Sequence, residues 1–337
     1  NGGDLSANTT LSFTSVPTDA LWTYTAKAEV GVGYTFAGGV AYSGISKSVN
    51  AQETQPFGLA FSSDGTKMYI VGQTNDTVYQ YTLSTAWDVS TATYASLSKS
   101  IAAQDPNPTS IFFSSDGLKM YMVGQTYNTV YQYTLSTAWA INTATYASLS
   151  KSVSAQEGAV NGVAFSPDGT KMYIVGQNND TVYQYTLSTA WNVSTATYAS
   201  LSKDLGFQDI IPCDLAFSSD GLRMFVVGNY YDQVFQYTLS TAWNVSTATY
   251  ASLAINVPDT QSMGLAFSSD GTKMFALGYA NKYVYQFNNT ALPVTITVPA
   301  AVQNPPTTAF IIGNQVSYTF VTNDGGTTVK LIGEEKT

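Results

Sequence analysis

Apolar positions along the chain fall in short runs broken by turn residues, and none of them keeps a helical period. The clearest set reads FGLAFSS (57–63), KMYIVGQ (67–73), TVYQYTL (77–83) and TYASLSKSI (93–101). These runs are rich in β-branched and aromatic residues, which predicts four strands, labelled a to d in order. Asp64-Gly65 lies between strands a and b, where a tight hairpin wants residues that tolerate positive φ.

The same set recurs. SSDG, SSDG, SPDG, SSDG and SSDG place their aspartates at 64, 116, 168, 220 and 270, steps of 52, 52, 52 and 50. Trp87, Trp139, Trp191 and Trp243 keep the step of 52. Four-stranded units of this length around an axis predict a β-propeller. The fifth unit stops after its third strand, VYQF (284–287), while a spare fourth strand, AYSGISKSV (41–49), precedes the first unit. That strand can complete the last blade and close the ring, which removes two sheet edges. The expectation is an all-β, five-bladed propeller over residues 41–288. An open solenoid gives no reason for the displaced strand.

Residues 1–40 and 289–337 also read as β. They contain SANTTLSFTSVP (6–17), LWTYTAKAEV (21–30), YTF (34–36), PVTITVPAAV (293–302) and QVSYTFVTNDGGTTVKLIG (315–333), a hairpin about Asn323-Asp324-Gly325-Gly326. Two or three isolated strands are marginal in water. Ring closure brings the two pieces together, so one small discontinuous β-sandwich carrying the propeller as an insertion is expected.

Composition narrows the chemistry. The 337 residues are 44% hydrophobic and 10% charged, with net charge -9 and pI near 4.3, a balance that argues against nucleic-acid partners. The absence of histidine removes imidazole acid–base chemistry and histidine metal ligands. One cysteine, Cys213, excludes an intrachain disulfide and a cysteine-cluster zinc site. No apolar run is long enough to span a membrane, and residues 1–20 lack a signal-peptide pattern.

The copies point to one face. The c–d loops (STAWDVSTATY, STAWAINTATY and STAWNVSTATY twice) and the a–b turns hardly change. The d–a segments differ widely (AQETQPFG, AQDPNPTS, AQEGAVNG, FQDIIPCD, NVPDTQSMG), as do the b–c loops (GQTNDT, GQTYNT, GQNNDT, GNYYDQ, GYANKY). Variable loops on a rigid scaffold suit recognition; unconstrained drift is the alternative. The fourth blade departs most, with Phe207, Asp209, Ile210 and Ile211 in one loop and Tyr230, Tyr231 and Asp232 in the other. Tyr127 and Tyr279 extend that aromatic set. Aromatics beside amides and carboxylates fit a sugar or a protein epitope; the same apolar residues could instead pack beneath neighbouring loops.

Other repeated residues invite chemistry less strongly. Glu53, Asp105, Glu157, Asp209 and Asp259 recur near the d–a loops; such a ring could hold a hard cation such as calcium, but solvation or bonding to loop amides is the better account. No cofactor is therefore expected. Asp64 and its copies read as hairpin-turn residues, with Lys67 and its copies paired to them or solvated. The tryptophans read as packing between blades, Cys213 as a small thiol without a role, and the Asn192-Val193-Ser194 sequon as chance. Trp22 has no assignable partner.

FSSDGTKMYIVGQ, DTVYQYTLSTAWDVSTATY and their copies resemble a propeller repeat of bacteriophage structural proteins, especially marine ones, and of some bacterial surface proteins. The ANTTLSFTSVP, TVPAAVQNPP and YTFVTNDGGTTV stretches are similar to a terminal β-domain of phage tail fibres, divided here by the propeller between Phe36 and Leu292. The resemblance implies an exposed virion component, foremost a tail-fibre or host-recognition protein, in a class where homotrimers are common. Its partners would be other virion subunits and a host surface glycan or protein, without membrane insertion. A capsid or tail decoration protein is the alternative. A glycoside hydrolase ranks last: such an enzyme needs two carboxylates roughly 5–10 Å apart. Asp214 is the one acid within an a strand, with Asp209 or Glu157 as partner, among nearly identical blades. A non-enzymatic protein is expected.

Overall fold

The computed structural model describes residues 35–36, 39–269 and 271–289 in full, and the backbone of 11–12, 296–297, 309–312, 315–321 and 328–331. Five four-stranded antiparallel sheets form the blades of a β-propeller. The first blade comprises strand a (Pro56–Phe61), b (Lys67–Gly72), c (Thr77–Leu83) and d (Ala92–Ser100). The a strands neighbour one another in a closed cycle of five around the axis.

The burial gradient follows the sequence outward. Strand b, KMYIVG, is buried at every position after its lysine, because both faces pack against adjacent blades. Strand d alternates exposed and half-covered residues, as an outer strand must. Each d strand carries a bulge, with Ser96, Ser148, Ser200 and Ser252 at positive φ and Gly44 in the corresponding place of the last blade. The a–b turns are built as expected. Asp64 Oδ1 accepts from Ser62 Oγ at 2.6 Å and from Thr66 N at 3.0 Å.

Closure is by the displaced strand. Val40–Ser48 pairs antiparallel with Tyr283–Asn289, from Val40 opposite Asn289 to Ser48 opposite Tyr283. The ring reaches further back than residue 41, however. Phe36 is buried in the core shared by blades four and five and lies 5.2 Å from the Phe225 ring. YTF (34–36) therefore belongs with the propeller: the chain divides into one unit of residues 34–290 and another of 1–33 with 291–337.

In the second unit, Leu11–Ser12 runs parallel to Ile296–Thr297, so the two chain ends pair. A separate sheet orders Ala309–Ile312, Gln315–Val321 and Thr328–Leu331. The turn at 323–326, Trp22 and the packing that would make a sandwich lie outside the described residues.

Candidate functional site

The five recurring acids are buried loop staples. Asp209, only 2% exposed, accepts from Ile211 N at 2.7 Å on its own loop and from Tyr231 N at 3.1 Å on the b–c loop. Glu53, Asp105, Glu157 and Asp259 join their own loop pairs in the same way. A glycine ends each b strand because the carboxylate occupies the space of a side chain; a Cβ on Gly228 would stand 2.1 Å from Asp209 Cγ. Burial raises the Asp209 pKa, and three backbone amides oppose that shift. Among the described residues no three acids converge as a metal site would require.

These staples fix the loops and leave their tips in water. On blade four, Phe207 is 93% exposed, Ile210 46%, Tyr230 54% and Tyr231 57%. The two tyrosine rings meet edge to face, with centroids 4.7 Å apart. Because Asp209 ties both loops together, the four side chains form one rim. Other predicted residues are engaged elsewhere. Asp209 itself is buried beneath the rim, Ile211 packs against the core, and Asp232 Oδ1 accepts from Ser262 N at 3.0 Å on the next blade. Burial leads the upward shift of the Asp232 pKa. Tyr279 stacks edge-on against Phe57 and accepts from Gln55 Nε2. Tyr127, 56% exposed, stands on blade two, separated from the rim by blade three.

The bond made by Asp232 explains two orphaned oxygens. Asn128 in the same loop position likewise accepts from Val160 N, the first residue of the following a strand. Behind Asp76 and Asp180 that strand begins with Pro108 and Pro212, which have no N–H. Asp76 Oδ1 and Asp180 Oδ1 are accordingly buried without a partner. Their pKa values are raised, first by burial and then by Glu53 and Asp105 for the former, Glu157, Asp204 and Asp209 for the latter.

On the axis sits Asp214, 5% exposed. Its Oδ1 accepts from Leu215 N at 2.9 Å and its Oδ2 from Leu265 N of blade five at 3.0 Å. Ser110, on blade two, faces it and draws its pKa down against the effect of burial. Burial pushes the Asp214 pKa up to about 7. At the corresponding positions of the other blades stand Gly58, Gly162 and Gly264, which let the strands close in. Beside it, Cys213 is buried, and burial leads the rise of its thiol pKa.

Asp214 lines a cavity of about 400 Å³ that runs along the a strands to the a–b turns, on the face opposite the variable loops. Phe61, Phe113, Phe165, Phe217 and Phe267 contribute to its wall. The four repeated tryptophans stand around it, each at positive φ near 60°, stacked on the glycine of its a–b turn. Tyr69 holds the Trp139 carbonyl with a 2.6 Å bond from its hydroxyl, and Tyr121 and Tyr173 repeat this at Trp191 and Trp243. The tryptophans thus pack between blades, as expected, and also shape a concavity that the near-identical loops gave no reason to suspect. Asp214 is the sole carboxylate among the described lining residues, and both Asp209 and Glu157 are spent on loop amides. No second acid faces it there.

Sequence reasoning also missed a ring of glutamines. Gln80, Gln132, Gln184, Gln236 and Gln286, buried in the c strands, each accept from a backbone N–H of the next blade: Ile141, Val193, Val245, Phe36 and Val89. The available signal was one polar residue kept in all five copies of a buried strand.

Fold and rim define a five-bladed β-propeller with one staple-supported variable face. No protein-family model matches the chain, and no curated protein matches it. Solved structures similar to it include a luciferin-regenerating enzyme, with TM-score 0.45, 12% identity, and coverage of 72% of this chain and 95% of that one. A functionally unknown protein from Desulfotomaculum acetoxidans gives 0.42, 13%, 81% and 68%. A chain of the mitotic checkpoint complex gives 0.42, 15%, 68% and 73%. Likeness at this level carries no functional argument, which rests on the chain's own residues.

Proposed function

We propose that the protein is a non-enzymatic binding module, a phage tail-fibre or host-recognition component, whose blade-four rim engages a glycan or protein on the host surface. The observation that carries this reading is the rim itself. Phe207, Ile210, Tyr230 and Tyr231 are exposed large apolar side chains on two buried-staple loops, in a ring whose blades are otherwise near copies. Water-facing aromatics on a fixed backbone give flat contact area at low entropic cost on binding. The virion setting rests on the repeat and flank resemblance.

Electron microscopy of particles carrying the chain, labelled with antibody against residues 41–288, tests the setting. Label at fibre tips supports host recognition. Label spread over the capsid replaces it with a decoration role, and particles without label contradict a virion protein.

A further inference from the structure

We infer that the axial cavity on the a–b face is a binding site for a small organic ammonium ion, its cationic head toward Asp214 and its alkyl part among the aromatic rings. This goes beyond recognition by the rim and is independent of it, since the two sites lie on opposite faces.

Three features specify the ligand class. Size comes first: about 400 Å³ falls within the range of small-molecule pockets. Charge is the second. Asp214 is the one charged side chain among the described lining residues, and no lysine or arginine pairs with it. Its donors are the backbone amides of Leu215 and Leu265, which orient the carboxylate and leave it acceptor capacity. Above its raised pKa of about 7 the carboxylate is ionised, and a cation beside it favours that form. The wall is the third. Phenylalanine and tryptophan side chains line it, and aromatic rings attract ammonium groups and disfavour anions. The chain's net charge of -9 draws cations toward any opening.

The duplicated strands supply an independent pointer. Strand a reads PFGLAF, PTSIFF, VNGVAF, PCDLAF and SMGLAF. Toward the cavity the copies share leucine, isoleucine or valine, then alanine, then phenylalanine, and the departures from this pattern are few. Phe112 replaces alanine and narrows the wall on blade two, packing 5.3 Å from Phe165. Asp214 and Ser110 replace glycine and face each other. Phe112 and Asp214 thus both line one concavity and make it asymmetric, as a site for a single oriented ligand requires.

The test is calorimetric titration of the full chain at pH 8 with choline and with its neutral carbon isostere, 3,3-dimethylbutan-1-ol. The expected result is a preference of about tenfold for choline, the scale of a desolvated cation–π and carboxylate contact. That preference should fall below about threefold in Asp214→Asn and remain unchanged in Tyr230→Ala/Tyr231→Ala, which alters only the rim. Tryptophan emission should change on binding, because Trp87 and its copies line the site. Should Asp214→Asn fail to fold, the wild-type chain at pH 5 takes its place: Asp214 is the only titratable group among the described lining residues, and its protonation should abolish the preference. Absence of choline binding, equal affinity for the two compounds, or a preference that survives loss of the Asp214 charge each overturns the inference.

Discussion

Phe36 donates its backbone N–H to Gln236 Oε1 at 2.7 Å, a bond between residues 200 positions apart that seats the segment before the closing strand in the joint between blades four and five. The other four joints use the same glutamine with a residue from the 3-10 turn of a c–d loop. In the fifth, the loop is missing and Phe36 supplies both the amide and an apolar ring. Closure of the propeller therefore depends on residues 35–48 together, and not on the strand alone.

Replacing Gln236 by leucine leaves the Phe36 N–H buried without an acceptor. The expected cost is about 1–3 kcal/mol, measured as a lower urea midpoint with an unchanged slope. Gln184→Leu should cost a similar amount at Val245, because the geometry is repeated.

Gly117→Ala should be more damaging than a surface change. Its φ is 68°, and a Cβ there would come within 2.3 Å of the Trp139 ring. Left-handed backbone alone costs about 1–2 kcal/mol, and displacing the indole adds to it. Calorimetry should show a clear drop in Tm and loss of fixed tryptophan near-UV dichroism.

Much of this was legible in the sequence. Blade number, strand order and the displaced closing strand followed from copies that align residue by residue. Phe36 did not, because the segment that replaces a c–d loop shares no motif with STAWNVSTATY, so only the geometry shows its equivalence to Val89 or Ile141. The rim was readable at Tyr230, Tyr231, Phe207 and Ile210, where loops diverge. Asp209 reads from the sequence both as a rim contact and as a carboxylate bonded to loop amides; the amides of Ile211 and Tyr231 draw it inside, which leaves the second. The cavity was hidden because its wall is built from residues that every blade repeats, and repetition reads as packing.

Asp180→Asn should stabilise the protein. Asn128 in the same position satisfies both ends of its amide, its Oδ1 accepting from Val160 N and its Nδ2 donating to Gly158 O. With Pro212 opposite, Asp180 keeps an orphaned oxygen near three other acids. Removing the charge relieves the repulsion and makes the orphaned oxygen cheaper to bury, for a gain of about 0.5–1 kcal/mol and a rise of about 1–3 °C in Tm. Asp232→Asn, which already has its acceptor role filled, should gain less.

Asp214 predicts a pH dependence with a definite sign. Its folded-state pKa is raised to about 7, so the folded chain holds a proton that the unfolded chain releases above the ordinary carboxylate range. The associated stability is complete below about pH 4 and is lost as pH rises through 7, with a span on the order of 4 kcal/mol. Asp64, Asp116 and Asp168 titrate in the opposite sense, their pKa values lowered. The contribution of Asp214 is therefore read as wild type minus Asp214→Asn across pH 4–8; a flat difference would contradict the assignment.

Recognition of a host surface is assigned to the blade-four rim. Its most direct test is binding of the labelled full chain to a panel of bacterial cells and purified surface polysaccharides, repeated with Tyr230→Ala/Tyr231→Ala and with Leu118→Ser, an exposed control on an a–b turn. Wild type and Leu118→Ser should bind a shared subset of the panel, and the double variant should lose at least about tenfold in affinity, or roughly 1.4 kcal/mol, while keeping its Tm. Undiminished binding by a folded double variant would contradict it.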